Sequence, residues 1–129
     1  MSTTYEIKDG FAIVTCEGDF TMDNIRDIVE WVNTEESLPE RIKLLIVDRS
    51  TNFDPSTVDL EDIAAIYGSI KERISSRWAL VVAKEFHYGL GRMYSVFAER
   101  YGMDARVFTD VEEARAWLDS RPDGAPGAP

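Results

Sequence analysis

The chain has 129 residues, 44% hydrophobic and 29% charged, which is ordinary soluble globular material and enough for one domain with a real core. A domain of this size buries about two-thirds of its unfolded surface, so neither a disulfide nor a structural metal is required. Its formal charge of −10, from 14 basic and 24 acidic residues, repels phosphate backbones and argues against a nucleic-acid partner.

The single cysteine, Cys16, cannot form an internal disulfide and leaves no metal framework. It lies in an apolar run and reads as a small buried hydrophobe. The opening MSTTYEIKDG lacks the basic-then-apolar pattern of a secretory signal. The longest apolar runs, about half a dozen residues, are far short of the ~20 that span a bilayer. The expectation is a cytoplasmic protein with no cofactor.

Two strand-like runs, Thr4 to Lys8 and Phe11 to Glu17, flank Asp9-Gly10, a strong tight-hairpin signal because both residues tolerate positive φ. A helix follows, with Thr21 as cap, Phe20 stapled on Ile25, and Ile25, Ile28, Val29 and Val32 on one face. Lys43 to Asp48 (KLLIVD) reads as a central strand buried on both faces. After the loop 49–55, Ser56 or Thr57 caps a second helix whose apolar face is Leu60, Ile63, Ala64, Tyr67, Ile70 and Ile74. Trp78 to Val82 is a further buried strand, and Ala83 to Tyr88 reads as a loop. Gly89-Leu90-Gly91 opens a third helix with Leu90, Met93, Tyr94, Phe97 and Tyr101 inside and Gly102 as its stop. Asp104 to Phe108 is the last strand, and Thr109 with Glu112 matches a capping box ahead of a helix buried through Val111, Ala114, Trp117 and Leu118. The end, Arg121 to Pro129, has nothing to bury and is expected to be disordered. The order β-β-α-β-α-β-α-β-α implies a mostly parallel five-stranded α/β sheet with an N-terminal hairpin.

The order of elements, the stretch Tyr88-Gly89-Leu90-Gly91-Arg92-Met93-Tyr94, and the ending Arg106-Val107-Phe108-Thr109-Asp110 with Ala114, Trp117 and Leu118 resemble bacterial SpoIIAA-like proteins. These share the fold of anti-sigma-factor antagonists (STAS domains) and of Sec14-type lipid-carrying domains. The resemblance covers roughly residues 4 to 119. It implies strands side by side in a right-handed superhelix with the helices mostly on one face. It also implies a phosphorylatable serine at the start of the helix after the third strand. Asp54-Pro55-Ser56-Thr57 stands there without the family's glycine, so Ser56 is the candidate and Thr57 the second; both also serve as plain helix caps.

The strands are apolar on both faces: Phe11 and Ile13 alternate with Ala12, Val14 and Cys16, and Trp78, Leu80 and Val82 with Ala79 and Val81. If the helices cover one face, the other must meet the first helix, a second subunit or an apolar ligand. A homodimer or an apolar-ligand pocket on that face is one expectation, and helices on both faces is the other.

The carboxyl ends of parallel strands are where α/β proteins place sites. That rule gathers Asp48, Arg49, Ser50, Phe53, Ser56 and Thr57 after one strand and Lys84, Phe86, His87, Tyr88 and Arg92 after the next. His87, the only histidine, is the base any serine hydrolase built on Ser50 or Ser56 would need, with Asp48 as the carboxylate. No Gly-x-Ser-x-Gly elbow supports it, and an exposed loop residue is the plainer account of His87. Gly89-Leu90-Gly91 could expose amides to an anion, with Arg92 or Lys84 assisting, or could be a closely packed helix start. Phe86 and Tyr88 could wall a crevice. The reading is a non-enzymatic module that binds a partner protein or a small apolar or amphipathic ligand. A phosphorylation-controlled switch is the alternative, and a hydrolase the weakest.

Overall fold

The computed structural model describes residues 2–18, 21–50, 57–74, 77–83 and 87–120, with the backbone alone at residues 2, 50, 57–60, 87, 88 and 90–92. The elements are β1 (Ser2–Lys8), β2 (Phe11–Gly18), α1 (Met22–Thr34), β3 (Lys43–Ser50), α2 (Thr57–Gly68), β4 (Arg77–Val81), α3 (His87–Arg100), β5 (Asp104–Phe108) and α4 (Val111–Asp119). The sheet runs β1-β2-β3-β4-β5. β1 is antiparallel to β2, and the remaining neighbours are parallel. The α/β class and the element order are those expected.

Local chemistry sets the ends of the elements. Asp9 (φ 55°) and Gly10 (φ 83°) both take the left-handed region, the primed turn whose twist suits a hairpin. At the start of α1, Asn24 Oδ1 accepts from the Thr21 amide at 2.6 Å and from the Thr21 hydroxyl at 3.1 Å. The expected staple partner Phe20 lies outside the described residues. α3 ends in a Schellman turn at Gly102 (φ 75°), with Gly102 N–H donating to Glu99 O and Met103 N–H to Ala98 O.

Two boundaries differ from expectation. α4 is capped by Asp110, not Thr109: the Asp110 carboxylate accepts from the Glu112 amide at 3.0 Å, and a carboxylate also suits the positive end of the helix. α3 begins at His87, so His87 and Tyr88 are helical rather than loop residues. Thr57 is the first residue inside α2, and the cap candidate Ser56 lies outside the described residues. The tail 121–129 also lies outside them.

Because strands follow one another in sheet order without reversal, right-handed crossovers must place every connecting helix on one side. The packing agrees: α1, α2 and α3 bury Ile25, Ile28, Ile63, Tyr67, Tyr94 and Phe97 against Ala12, Val14, Leu44, Ile46, Trp78 and Leu80. The alternate residues Phe11, Leu45, Val47, Ala79 and Val81 form a second core on the opposite face, closed by Ala114 and Leu118 of α4. Apolar strands on both faces are thus explained within one chain. Of the two expectations for this face, helices on both faces is the one seen, with α4 packed over β3, β4 and β5.

Cations border this second core. The Arg77 guanidinium, 5% exposed, lies 4.1 Å from the Trp117 ring and reaches the Ser120 carbonyl at 3.3 Å. Lys43 and Arg115 stand over Phe11 at 5.3 and 4.9 Å and pair with Asp119 and Asp9.

α2 and α3 approach closely where α2 stops. A Cβ added to Gly68 would lie 2.9 Å from the Tyr101 Cβ, which is the stem of that side chain and not a movable tip. Gly68→Ala should therefore destabilise the protein by about 1–3 kcal/mol despite alanine's better helix propensity, read as a lowered urea midpoint.

Candidate functional site

The strand-end constellation is only partly visible. Phe53, Ser56, Lys84 and Phe86 lie outside the described residues. Ser50 closes β3, Thr57 opens α2, His87 and Tyr88 open α3, and Arg92 lies within α3, each described by its backbone. The chain thus brings the end of β3 and the starts of α2 and α3 to the same end of the sheet. The sheet order has no point at which the strand sequence reverses, so the crevice that such a reversal creates is missing from this topology. Gly91 sits beyond the first turn of α3, where helix amides already have intrahelical partners, whereas Gly89 lies within that turn.

Asp48 and Arg49 are separated by strand alternation. Asp48 is buried on the face covered by α1–α3, whereas Arg49 is exposed on the face covered by α4. They cannot act on one ligand atom. What surrounds Asp48 was not anticipated. Cys16 stands directly beside it in the β2–β3 register, and Tyr67 and Tyr94 descend from the helices above. Register was needed to see this, because Cys16 and Asp48 are 32 positions apart (48 − 16).

The electrostatics of this group are those of a desolvated layer. Burial, then the Asp48 charge, pushes the Cys16 thiol from its ordinary 9.0 up to about 12, against a smaller opposing hydrogen bond from Thr3. Burial also raises Tyr67 and Tyr94, and Asp48 adds to both shifts. Trp78 packs between the two tyrosines, 4.5 Å from Tyr67 and edge-on to Tyr94 at 5.3 Å. Its indole nitrogen is buried without a hydrogen-bond partner among the described residues. A thiol held neutral and 1% exposed is a poor nucleophile, and these side chains pack as part of the larger core. Among the described residues, no three His, Cys, Asp or Glu side chains are grouped to hold a metal.

Of the open depressions among the described residues, the mostly apolar one is on the outer side of α3. Gly89, Met93, Val96 and Phe97 line an open, mostly apolar depression of about 430 Å³. Val96 is 54% exposed, the most exposed large hydrophobic among the described residues. A Cβ at Gly89 would meet nothing within 4 Å, so the missing side chain leaves the depression open and no neighbour requires it. The Arg100 guanidinium lies 5.0 Å from the Phe97 ring centroid and pairs with Glu61 at 3.9 Å. The signal was present in the sequence as Met93 and Val96 spaced i, i+3 after Gly89, but Val96 falls outside the stripe that reads as core.

Against known proteins, no family model, no curated protein and no solved structure matches this chain. Among the described residues, no helix is long and apolar enough to cross a membrane.

The buried layer predicts an alkaline response. Cys16, Tyr67 and Tyr94 are all held protonated by the fold, so their contribution is complete below the unfolded thiol value and is lost as pH rises from 9.0 through about 12. Urea midpoints measured from neutral pH upward should fall across that window, and Cys16→Ala should flatten the first part of the fall. In the native state, a colourless-to-coloured disulfide reagent should react with Cys16 only after denaturant is added.

Proposed function

We propose that the chain is a SpoIIAA-like, non-enzymatic binding module whose ligand is a small amphipathic molecule with an apolar body and an anionic head. One observation carries the reading: an apolar depression on the outer side of α3, one of whose lining residues, Phe97, has the Arg100 guanidinium over its ring. The Arg100–Glu61 pair is long and half-exposed, and such pairs contribute little, so Arg100 can turn to a ligand at small cost. The apolar walls would supply affinity and the guanidinium would orient the head group. The family part of the reading rests on the sequential sheet with three helices on one face, which is what the resemblance implies.

Binding of dodecanoate, followed by native mass spectrometry and by displacement of a fluorescent fatty acid, tests this. Val96→Glu and Gly89→Trp should each weaken binding about tenfold or more, the first by placing charge in the depression and the second by filling it. Arg100→Ala should weaken dodecanoate but not dodecanol. A wild-type protein that takes up neither probe, or variants that bind unchanged, would sink the reading.

A second reading has one observation behind it. Thr57 opens α2, and a phosphate there would meet the positive end of a twelve-residue helix. A phosphorylation-controlled switch should then gain phosphate on Thr57 or Ser56 from a cognate kinase, and Thr57→Ala with Ser56→Ala should abolish the gain.

A further inference from the structure

Two of the three exposed large hydrophobic side chains among the described residues, Tyr5 (37%) and Ile7 (38%), stand on one strand, β1. β1 is the margin of the sheet, and Thr4 to Lys8 are all exposed. The opposite margin is blunted. β5 has five residues, carries the Arg106–Asp104 pair, and has its Ala105 carbonyl bonded by the Ser95 hydroxyl at 3.1 Å. β1 has no proline and no bulge, and its seven residues pair one-to-one with β2.

The hairpin decides which groups β1 presents. A two-residue primed turn closes on Lys8–Phe11 as a hydrogen-bonded pair, so Glu6–Ile13 and Thr4–Thr15 are bonded pairs as well. Tyr5 and Ile7 fall between them, and their N–H and C=O groups point away from β2 towards the margin.

We infer that a second copy of this chain adds to β1, antiparallel about a twofold axis at Tyr5, and continues the sheet from one protomer into the other. A twofold contact must oppose outward-pointing residues, which are Thr3, Tyr5 and Ile7. Setting Thr3 on Thr3 or on Tyr5 puts Ile7 beyond the partner's β1, which leaves Tyr5 on Tyr5, Tyr5 on Ile7, or Ile7 on Ile7. Tyr5 on Ile7 sets Glu6 directly against its own copy, a like-charge pair. Ile7 on Ile7 overlaps only the end of the strand beside the turn. Tyr5 on Tyr5 uses the whole strand, sets Ile7 against Thr3 and Glu6 against Thr4, and opposes no like charges. Each Tyr5 already packs on Trp31 of α1 at 4.8 Å, so this register joins two such pairs into one apolar cluster on the axis. No other partner is required for the strand to be matched, because its own sequence matches it.

Sedimentation velocity of the whole chain, over a range of micromolar concentrations, should show a monomer–dimer equilibrium. It should tighten with added salt, because each protomer carries −10. Tyr5→Lys, which puts two cations on the axis, should weaken the dimer by roughly tenfold or more. Register is tested separately by oxidation. The double variant Thr4→Cys with Glu6→Cys should give a covalent dimer, since the two positions form a close non-bonded pair across the axis, whereas Glu6→Cys alone should not. Cys16, 1% exposed, does not compete. A strict monomer at every concentration and salt, a dimer indifferent to Tyr5→Lys, or crosslinking by Glu6→Cys alone would each overturn the inference.

Discussion

Strand order governs this protein. Each strand after the hairpin is laid beside its predecessor, parallel and in the same direction across the sheet. Right-handed crossovers then leave no choice about the connecting helices, which all fall on one side. α1, α2 and α3 build the larger core there, and α4, which connects no further strand among the described residues, is the element able to cross to the other face. The near-continuous apolar strands are the chemical counterpart of that arrangement, since each central strand must satisfy a core above and a core below.

The same arrangement sorts the polar groups. Asp48 and Cys16 fall on the thick side, under Tyr67 and Tyr94, where burial dominates and holds the thiol and phenols protonated. On the thin side one short helix cannot seal the sheet by itself. Arginine and lysine stems lie across Trp117 and Phe11 and complete the cover while their charges find Ser120, Asp119 and Asp9. Asp48 and Arg49 face opposite ways, and the outer side of α3 carries the exposed Val96 and, over the Phe97 ring, Arg100.

Where local reading failed, a tertiary effect had overridden a local one. Glycine at 89 and 91 disfavours helix by about 1 kcal/mol each relative to alanine, which placed the start of α3 too late. Burial of Tyr94, Phe97 and Ala98 holds the helix regardless, and it begins at His87. Thr109 and Glu112 have the spacing of a capping box, but β5 carries the chain through Phe108 and the turn delivers Asp110 to the cap. The hairpin at Asp9-Gly10 and the stop at Gly102 were legible because positive φ is a property of single residues.

The sequence by itself determined the class of fold, the order of its elements and the residues of both cores. Hydrophobic period and turn residues are local signals, and among the described residues they agree on the type and order of every element. Only the tertiary structure decided that α4 packs on the second face, that Cys16 lies beside Asp48, and that β1 is a margin of the sheet with Tyr5 and Ile7 exposed. Those outcomes depend on register and on which side a helix packs. Both are set by contacts between residues far apart in the chain, which no local pattern encodes.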